Sequence, residues 1–316
     1  MIAVDVMGGD HAPQAVLQGA VAAAIKGIPV QLFGPEAVML PWLAQHAPAW
    51  ATLPLTLIAT TEVITMDEDP VFAVRRKPQS SLVRAVASVA AGDCVGVLSA
   101  GNSGAMMAAC AVLLGRQDGV ERPAIAGYLP TQIGKVLALD LGANTECRPQ
   151  HLVRFAHLGS DHVRQNQGIA RPRIGLLSNG HEPGKGSALG KEVFGLLQAE
   201  TMLNFVGNVE PYHIFAGHVD VVVCDGFSGN VMLKTMEALA DLVRAWYPEL
   251  GQDLEKRLEQ QQAGGALLLG VKGTALVCHG SADAAIIERA ITFVWNVSAR
   301  NKGLPGNEAH KSIVSG

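Results

Sequence analysis

The chain is 316 residues long, enough for one large domain or two of medium size. Charged residues make up only 16% against about a quarter in average soluble domains, while 49% are hydrophobic, which predicts a large core and few solvated charge runs. A net charge of -4 gives no electrostatic footing for nucleic-acid binding, and no apolar run approaches the roughly 18 residues of a membrane span.

The chain opens on "MIAVDVMGGD", a strand and turn with no basic leader or cleavage signal, so a cytoplasmic location is expected. In order along the chain, apolar runs at 2–6, 30–33, 55–58, 95–98, 136–141, 174–177, 205–206, 219–224 and 275–278 read as strands. Between them, 14–25, 82–91, 104–114, 147–158, 188–197 and 230–244 read as helices. Strands that are apolar on both faces and alternate with helices predict an α/β fold with a sheet covered on both sides. No Ser/Pro-rich linker interrupts the order, so residues 1–316 are expected to form a single compact unit. Residues 238–262 differ in character. Leu239, Leu242, Val243 and Trp246, then Leu250, Leu254 and Leu258, make a narrowing apolar stripe, which predicts a helical arm facing a partner, a second copy or a membrane surface.

Five cysteines (Cys94, Cys110, Cys147, Cys224 and Cys278) are scattered without a C-x-x-C pair. Neither a zinc ribbon nor a redox pair is indicated, and inert buried thiols are the simpler expectation.

An internal repeat stands out. "VGVLSAGNSGAMM" (95–107) returns 125 residues later within "VVVCDGFSGNVMLKT" (221–235), aligning Gly101 with Gly226, Ser103 with Ser228 and Gly104 with Gly229. Both copies read as a strand, a Gly-rich turn and a helix. Free N–H groups and the helix dipole make such a turn suited to anions, and glycines let a ligand approach the backbone. Six turns of this kind follow strand candidates: 7–13 (with Gly9, Asp10 and His11), 101–104 (Gly101, Asn102, Ser103), 140–146 (Asn144), 178–186 (Lys185), 225–230 (Asp225, Ser228, Gly229, Asn230) and 278–283 (His279, Ser281). Any one alone fits a plain turn; six together predict a polar cleft at one end of the strands.

Several standard sites are excluded. G-x-G-x-x-G and the P-loop are absent, so no nucleotide cofactor is expected, and no clustered ligands call for a metal. The repeat does not match a nucleophile elbow. Asp10 and Asp225 fit helix capping as well as ligand binding. Lys185, between two glycines in a turn before a helix, fits a solvated lysine or a point charge for phosphate. Asn144 and Asn230 fit helix caps or neutral donors to an oxyanion or phosphate.

The strings "DVMGGDHAP" (5–13), "SAGNSGA" (99–105), "ERPAI" (121–125), "DLGAN" (140–144), "NFVGNVE" (204–210), "DVVVCDGFSGNVMLKT" (220–235), "GGALLLG" (264–270) and "HGSADA" (279–284) together resemble the bacterial phosphate acyltransferase family. The resemblance spans nearly the whole chain. It implies a three-layer α/β/α sandwich, two intertwined halves on one mixed sheet, similar to isocitrate and isopropylmalate dehydrogenases. It implies fatty acyl transfer from acyl-[acyl-carrier-protein] to inorganic phosphate, giving the acyl-phosphate used in phospholipid synthesis. Acyl carrier protein and phosphate become the expected partners, with a homodimer and peripheral contact with the membrane or the downstream membrane glycerol-3-phosphate acyltransferase. Within that reaction Lys185 and the helix N-termini are expected to hold phosphate, Asn230 to donate to the oxyanion, and His11 or His279 to move a proton. Three other functions stay open: a phosphate acetyltransferase-like enzyme using acyl-CoA, a metal-dependent hydroxyacid dehydrogenase, and a carrier-binding scaffold without catalysis. In this chain 179–183 read "NGHEP" where the family usually reads Asn-Ile-Gly-Glu-Glu, with Lys185-Gly186 kept.

Overall fold

The computed structural model describes residues 1–248 and 263–302. The expected arm at 238–262 is described only up to residue 248; its remainder, 249–262, lies outside the described residues. Two compact units make up the chain: Met1–Gly115 with the described residues from Val271 onward, and Arg116–Gly270. The second unit is thus inserted in sequence into the first.

The first unit begins with β1 (Ile2–Asp5), α1 (Gln14–Ile25), β2 (Val30–Gly34), α2 (Glu36–His46) and β3 (Leu55–Ala59). It continues through α3 (Pro70–Arg76), α4 (Ser81–Ala91), β4 (Gly96–Ser99) and α5 (Ser103–Ala109), the last running on into a short π-helical turn at Cys110–Leu114. The second unit holds β5 (Ala124–Thr131), β6 (Gly134–Leu139), α6 (Pro149–Gln167), β7 (Arg173–Leu177) and α7 (Ala188–Ala199). It is completed by β8 (Asn204–Val209), α8 (Pro211–Phe215), β9 (Val221–Val223), α9 (Gly226–Trp246) and β10 (Ala266–Leu269). The chain then returns to the first unit with β11 (Thr274–Val277) and α10 (Ala284–Lys302).

In the first unit the strand order is β3-β2-β1-β4-β11, with every pair parallel. Ile2, Ala3, Val4 and Val97 are fully buried, as strands covered by helices on both faces require. Gly19 has a packing role: a Cβ there would meet Ala284 and Ile287, so the missing side chain lets α1 lie against α10.

In the second unit the order is β10-β5-β6-β9-β7-β8. The pairs β6–β9, β9–β7 and β7–β8 are parallel, while β5 runs antiparallel to both β6 and β10. The apolar-run criterion missed β5 and β10. β5 reads "AIAGYLPT", where Gly127 and Pro130 interrupt the pattern that marks the parallel strands. β9, only Val221–Val223, is buried throughout and sits between β6 and β7. Its short register brings the residues that follow it, Cys224 and Asp225, level with those that follow β6 and β7. At the opposite end of these strands, Arg173 and Asp220 form a two-pronged ion pair at 2.9 and 3.0 Å, so Asp220 is a strut between β7 and β9.

The repeat differs in its details. The cap of α5 is Asn102 and the cap of α9 is Asp225, which is out of step with the 125-residue offset. "DGFSGN" is therefore a cap and the first turn of a helix, and α9 starts at Gly226 rather than at 230.

Candidate active site

The twelve expected substrate positions and two expected catalytic positions fall into two groups, one in each unit. In the first unit the turns at 7–11, 99–103 and 279–281 meet: the Asp10 N–H donates to the Gly280 carbonyl at 2.8 Å, and a Cβ on Gly9 would touch that same carbonyl. Beneath them, buried Asp5 accepts from the Ser99 hydroxyl at 2.7 Å and from the Met7 N–H at 3.2 Å. Burial pushes the Asp5 carboxyl above its ordinary value, against the pull of those hydrogen bonds.

Several of the expected ligands are already committed within this group. The Gly101 N–H donates to Ser99 Oγ at 3.0 Å. Asn102 accepts from the Ala105 N–H, and its amide nitrogen donates to the carbonyls of Thr65, Met66 and Glu68. Asn102 is a helix cap that clamps the 65–68 loop. Asp10 does not cap α1, whose first turn has no side-chain cap. Asp10, His11, Ser103, His279 and Ser281 remain exposed, and His279 Nδ1 lies 2.8 Å from Ser281 Oγ.

In the second unit a cavity of about 430 Å³ lies beyond the carboxyl ends of β7 and β9, and of the expected positions Asp225 and Ser228 line it while Asn144 and Gly229 do not. Its polar wall is Ser178, Asn179, Gly186, Ser187, Gly190, Asp225 and Ser228; Leu152, Leu176, Leu177, Leu189 and Cys224 make its apolar floor. Two long helices begin here. Ser187 caps α7 by accepting from the Gly190 N–H at 3.1 Å, and Asp225 caps α9 by accepting from the Ser228 N–H at 2.9 Å and the Ser228 hydroxyl at 2.8 Å. The N–H groups of Ala188 and Leu189 open α7 and have no partner within the helix, so this end of α7 suits an anion, while the Asp225 carboxylate on the same wall opposes one.

Below α9, the loop after β6 is drawn around one carboxylate. Asp140 is fully buried and accepts from the N–H groups of Ile125, Gly142, Ala143 and Asn144 and from the Asn144 amide, at 2.7 to 3.2 Å. Burial pushes the Asp140 carboxyl up, and those donors pull it partway back. Both Asn144 amide hydrogens are used, the second on the Pro123 carbonyl at 2.8 Å. Asn144 is therefore a brace for this loop with no hydrogen left for an anion. Gly229 is buried with the Asp140 carbonyl oxygen where its Cβ would stand, and a Cβ on Gly226 would lie 2.6 Å from the Asn144 carbonyl. These two glycines let α9 close onto the loop, so helix packing, rather than ligand approach, accounts for them.

Asn230 and Lys185 flank the cavity without lining it. The exposed Asn230 spends one amide hydrogen on the Leu141 carbonyl at 3.2 Å, which leaves the other to donate. Lys185 is exposed, with its stem lying over Gly180. Among the described residues its ammonium forms no ion pair. Cys224 lines the floor, but burial together with Asp140 and Asp225 holds its thiol far above the ordinary value, so it stays protonated and inert. No group of three or more His, Cys, Asp or Glu is gathered for a metal among the described residues. Nor is any described helix long and apolar enough to cross a membrane.

Asp5, Asp140, Ser178, Asn179 and Ser187 were not singled out in the sequence. The aspartates had a signal: each sits one residue before the end of an apolar run and has a glycine within three residues, close to the place Asp225 takes after 219–224.

Fold and site together define an α/β protein with the isocitrate/isopropylmalate dehydrogenase-like fold and a polar cavity, faced by two helix N-termini, at strand ends. The fold is shared with a phosphotransacetylase from Streptococcus pyogenes, at a TM-score of 0.65 and 16% identity over 96% of this chain and 94% of that one. It is shared also with a 4-hydroxythreonine-4-phosphate dehydrogenase from Klebsiella pneumoniae, at 0.58 and 17% over 94% and 99%. Residues 1–302 match the family described as fatty acid synthesis protein. A phosphate acyltransferase of Anaeromyxobacter dehalogenans (strain 2CP-C) is 46% identical over 307 residues, covering 92% of this chain and 84% of that protein. The chain belongs to the phosphate acyltransferase family.

Proposed function

We propose that this enzyme transfers a fatty acyl group from the thioester of acyl-[acyl-carrier-protein] to inorganic phosphate, using the cavity of the second unit. The observation that carries the reading is the convergence of two helix N-termini, α7 and α9, on one cavity, beside the turn that carries Lys185, in a chain of this family. Phosphate sits against the first N–H groups of α7 with Lys185 as a point charge. A phosphate oxygen attacks the thioester carbon; the new C–O bond makes the acyl-phosphate, the C–S bond breaks, and the sulfur leaves as the carrier's thiol with the proton that phosphate gives up. Phosphate is itself the nucleophile, so no covalent enzyme intermediate is needed, in keeping with the inert Cys224. Asn230 donates its remaining amide hydrogen to the tetrahedral oxyanion, an interaction typically worth about 3 kcal/mol. The apolar floor of Leu152, Leu176, Leu177 and Leu189 suits the first carbons of the acyl chain.

A homodimer through α9 is part of the proposal. One side of α9 packs Met232, Leu233 and Met236 on the unit's core, while Phe227, Val231, Leu239, Leu242 and Trp246 are exposed. Such a stripe marks an interaction surface. Peripheral membrane contact would use this same stripe.

The test is release of thiol from a long-chain acyl carrier protein with and without phosphate. Phosphate-dependent release, lowered more than tenfold by Lys185→Ala at a nearly unchanged melting temperature, fits a lost point charge at the nucleophile. Release independent of phosphate, or equal turnover with acyl-CoA, would overturn the carrier-and-phosphate reading.

A further inference from the structure

We propose that Asn208 is a positioning residue for the reaction: through one hydrogen bond it holds the turn that carries Lys185. The inference rests on the phosphate reading of that turn. Asn208 is the penultimate residue of β8 and only 6% exposed, and its amide nitrogen donates to the Glu182 carbonyl at 2.8 Å. That carbonyl also accepts from the Lys185 N–H at 3.0 Å, so it closes the turn Glu182-Pro183-Gly184-Lys185. One oxygen thus takes the hydrogen bond that forms the turn and the one that ties it to the sheet.

The rest of the loop makes this tie matter. Residues His181–Lys185 are exposed throughout, and a Cβ on Gly184 would meet nothing within 4 Å. The loop's other side-chain bonds are internal or at its ends: Asn179 accepts from the Gly186 N–H at 2.9 Å, and Ser187 caps α7. Among the described residues, Asn208 gives the one side-chain hydrogen bond that reaches the loop from outside. Two further outside contacts are made by the 70% exposed His181: Glu210, whose nearest atom is 4.0 Å away and whose attraction solvent weakens, and the His213 ring, met edge-on at 6.3 Å between centroids. Lys185 lies two residues before the Ser187 cap, so a shift of the turn moves both the ammonium and the first N–H groups of α7. Asn208, buried on a strand, supplies the rigid reference that an exposed loop lacks. A charged acceptor of the same shape would repel the Glu182 carbonyl instead of holding it.

The experiment measures KM for phosphate and kcat in thiol release for Asn208→Ala, Asn208→Asp, Lys185→Ala and the Asn208→Ala/Lys185→Ala double variant. Asn208→Ala is expected to raise the phosphate KM by about tenfold or more, as misplacement of a binding group does, with KM for the acyl carrier nearly unchanged. Asn208→Asp should be at least as poor. In the Lys185→Ala background the Asn208 change should have a clearly smaller effect than it has alone, because the part that acts through the ammonium is gone and only the α7 N–H groups remain to be displaced. Asn208→Ser keeps a donor on a shorter arm and should fall between wild type and alanine; it is read the same way if the alanine variant does not fold. A phosphate KM unmoved by any Asn208 variant, with Lys185→Ala defective, overturns the positioning role and leaves the phosphate reading standing. Independent, multiplying effects of Asn208 and Lys185 overturn it too. If Lys185→Ala itself leaves the phosphate KM unchanged, the phosphate reading fails first.

Discussion

His162 offers a stability prediction that needs no substrate. It lies on α6, 6% exposed, with Nε2 3.0 Å from the Tyr128 hydroxyl and Nδ1 3.3 Å from the Asn166 amide nitrogen. An amide N–H can only donate, so Nδ1 accepts and the proton sits on Nε2: the ring is neutral. Burial, helped by the Lys135 ammonium that stacks 4.4 Å over the Tyr128 ring, lowers the His162 pKa from 6.5 to about 4. Because the folded value is the lower one, protons bind the unfolded chain first as pH falls. The stability that neutral His162 allows is complete above about pH 6.5 and is lost progressively down to about pH 4. The full difference is worth about 3 kcal/mol at 1.36 kcal/mol per unit, and about 2 kcal/mol of it is lost between pH 7.5 and pH 5. His162→Gln keeps a polar amide without a titrating ring. Urea unfolding of both proteins across this range isolates the effect, since every other titrating group is common to the pair. The variant should be the less stable at pH 7.5, and its disadvantage should shrink by about 2 kcal/mol at pH 5. Parallel stability curves, or a wild type that gains on the variant as pH falls, would show that His162 is charged or solvated in the folded protein.

Asn230→Ala should lower the rate of thiol release by about 10²-fold at a nearly unchanged phosphate KM, as loss of one oxyanion donor does; a raised KM at full maximal rate would make Asn230 a ground-state phosphate ligand. Gly229→Ala must displace the Asp140 carbonyl or Cys224 Sγ, so a loss of about 3 kcal/mol or failure to fold is expected. Gly195→Ala, exposed on α7 with nothing within 4 Å of the added methyl, should instead gain about 0.5–1 kcal/mol, and thermal melts of the two variants read the contrast. Light scattering at micromolar concentration should return twice the chain mass, and Trp246→Glu should reduce it to the single chain; a monomeric wild type would remove α9 as a dimer surface.

Much of this protein was legible from residues alone, for a physical reason. Strands covered on both faces must be apolar almost without interruption, so β1, β2, β4, β7, β9 and β11 announce themselves. Helix caps need short polar side chains, so Asp225 was readable as a cap, but the helices were expected from 230 and 104 whereas α9 and α5 begin at Gly226 and Ser103, with Asn102 as the second cap. Six polar turns after strands predict one polar cleft; the structure gathers them in two groups, one in each unit. β5 and β10 were not legible, because an antiparallel strand carrying Gly127 and Pro130 breaks the pattern that parallel strands keep. The use made of each polar group was decided only by the fold. Asn144 and Asn230 look alike in sequence, yet contacts with Asp140 and Pro123 consume one amide and the lone Leu141 carbonyl leaves the other half free. Gly226 and Gly229 read as room for a ligand, and the fold filled that room with the backbone of residues 140–144. Asn208 stands in the string NFVGNVE, but its role was not readable there, since its partner is a carbonyl 26 residues away. Residue type determines what a group can donate, accept or bury; which partner claims it depends on which distant segment the fold brings within about 3 Å.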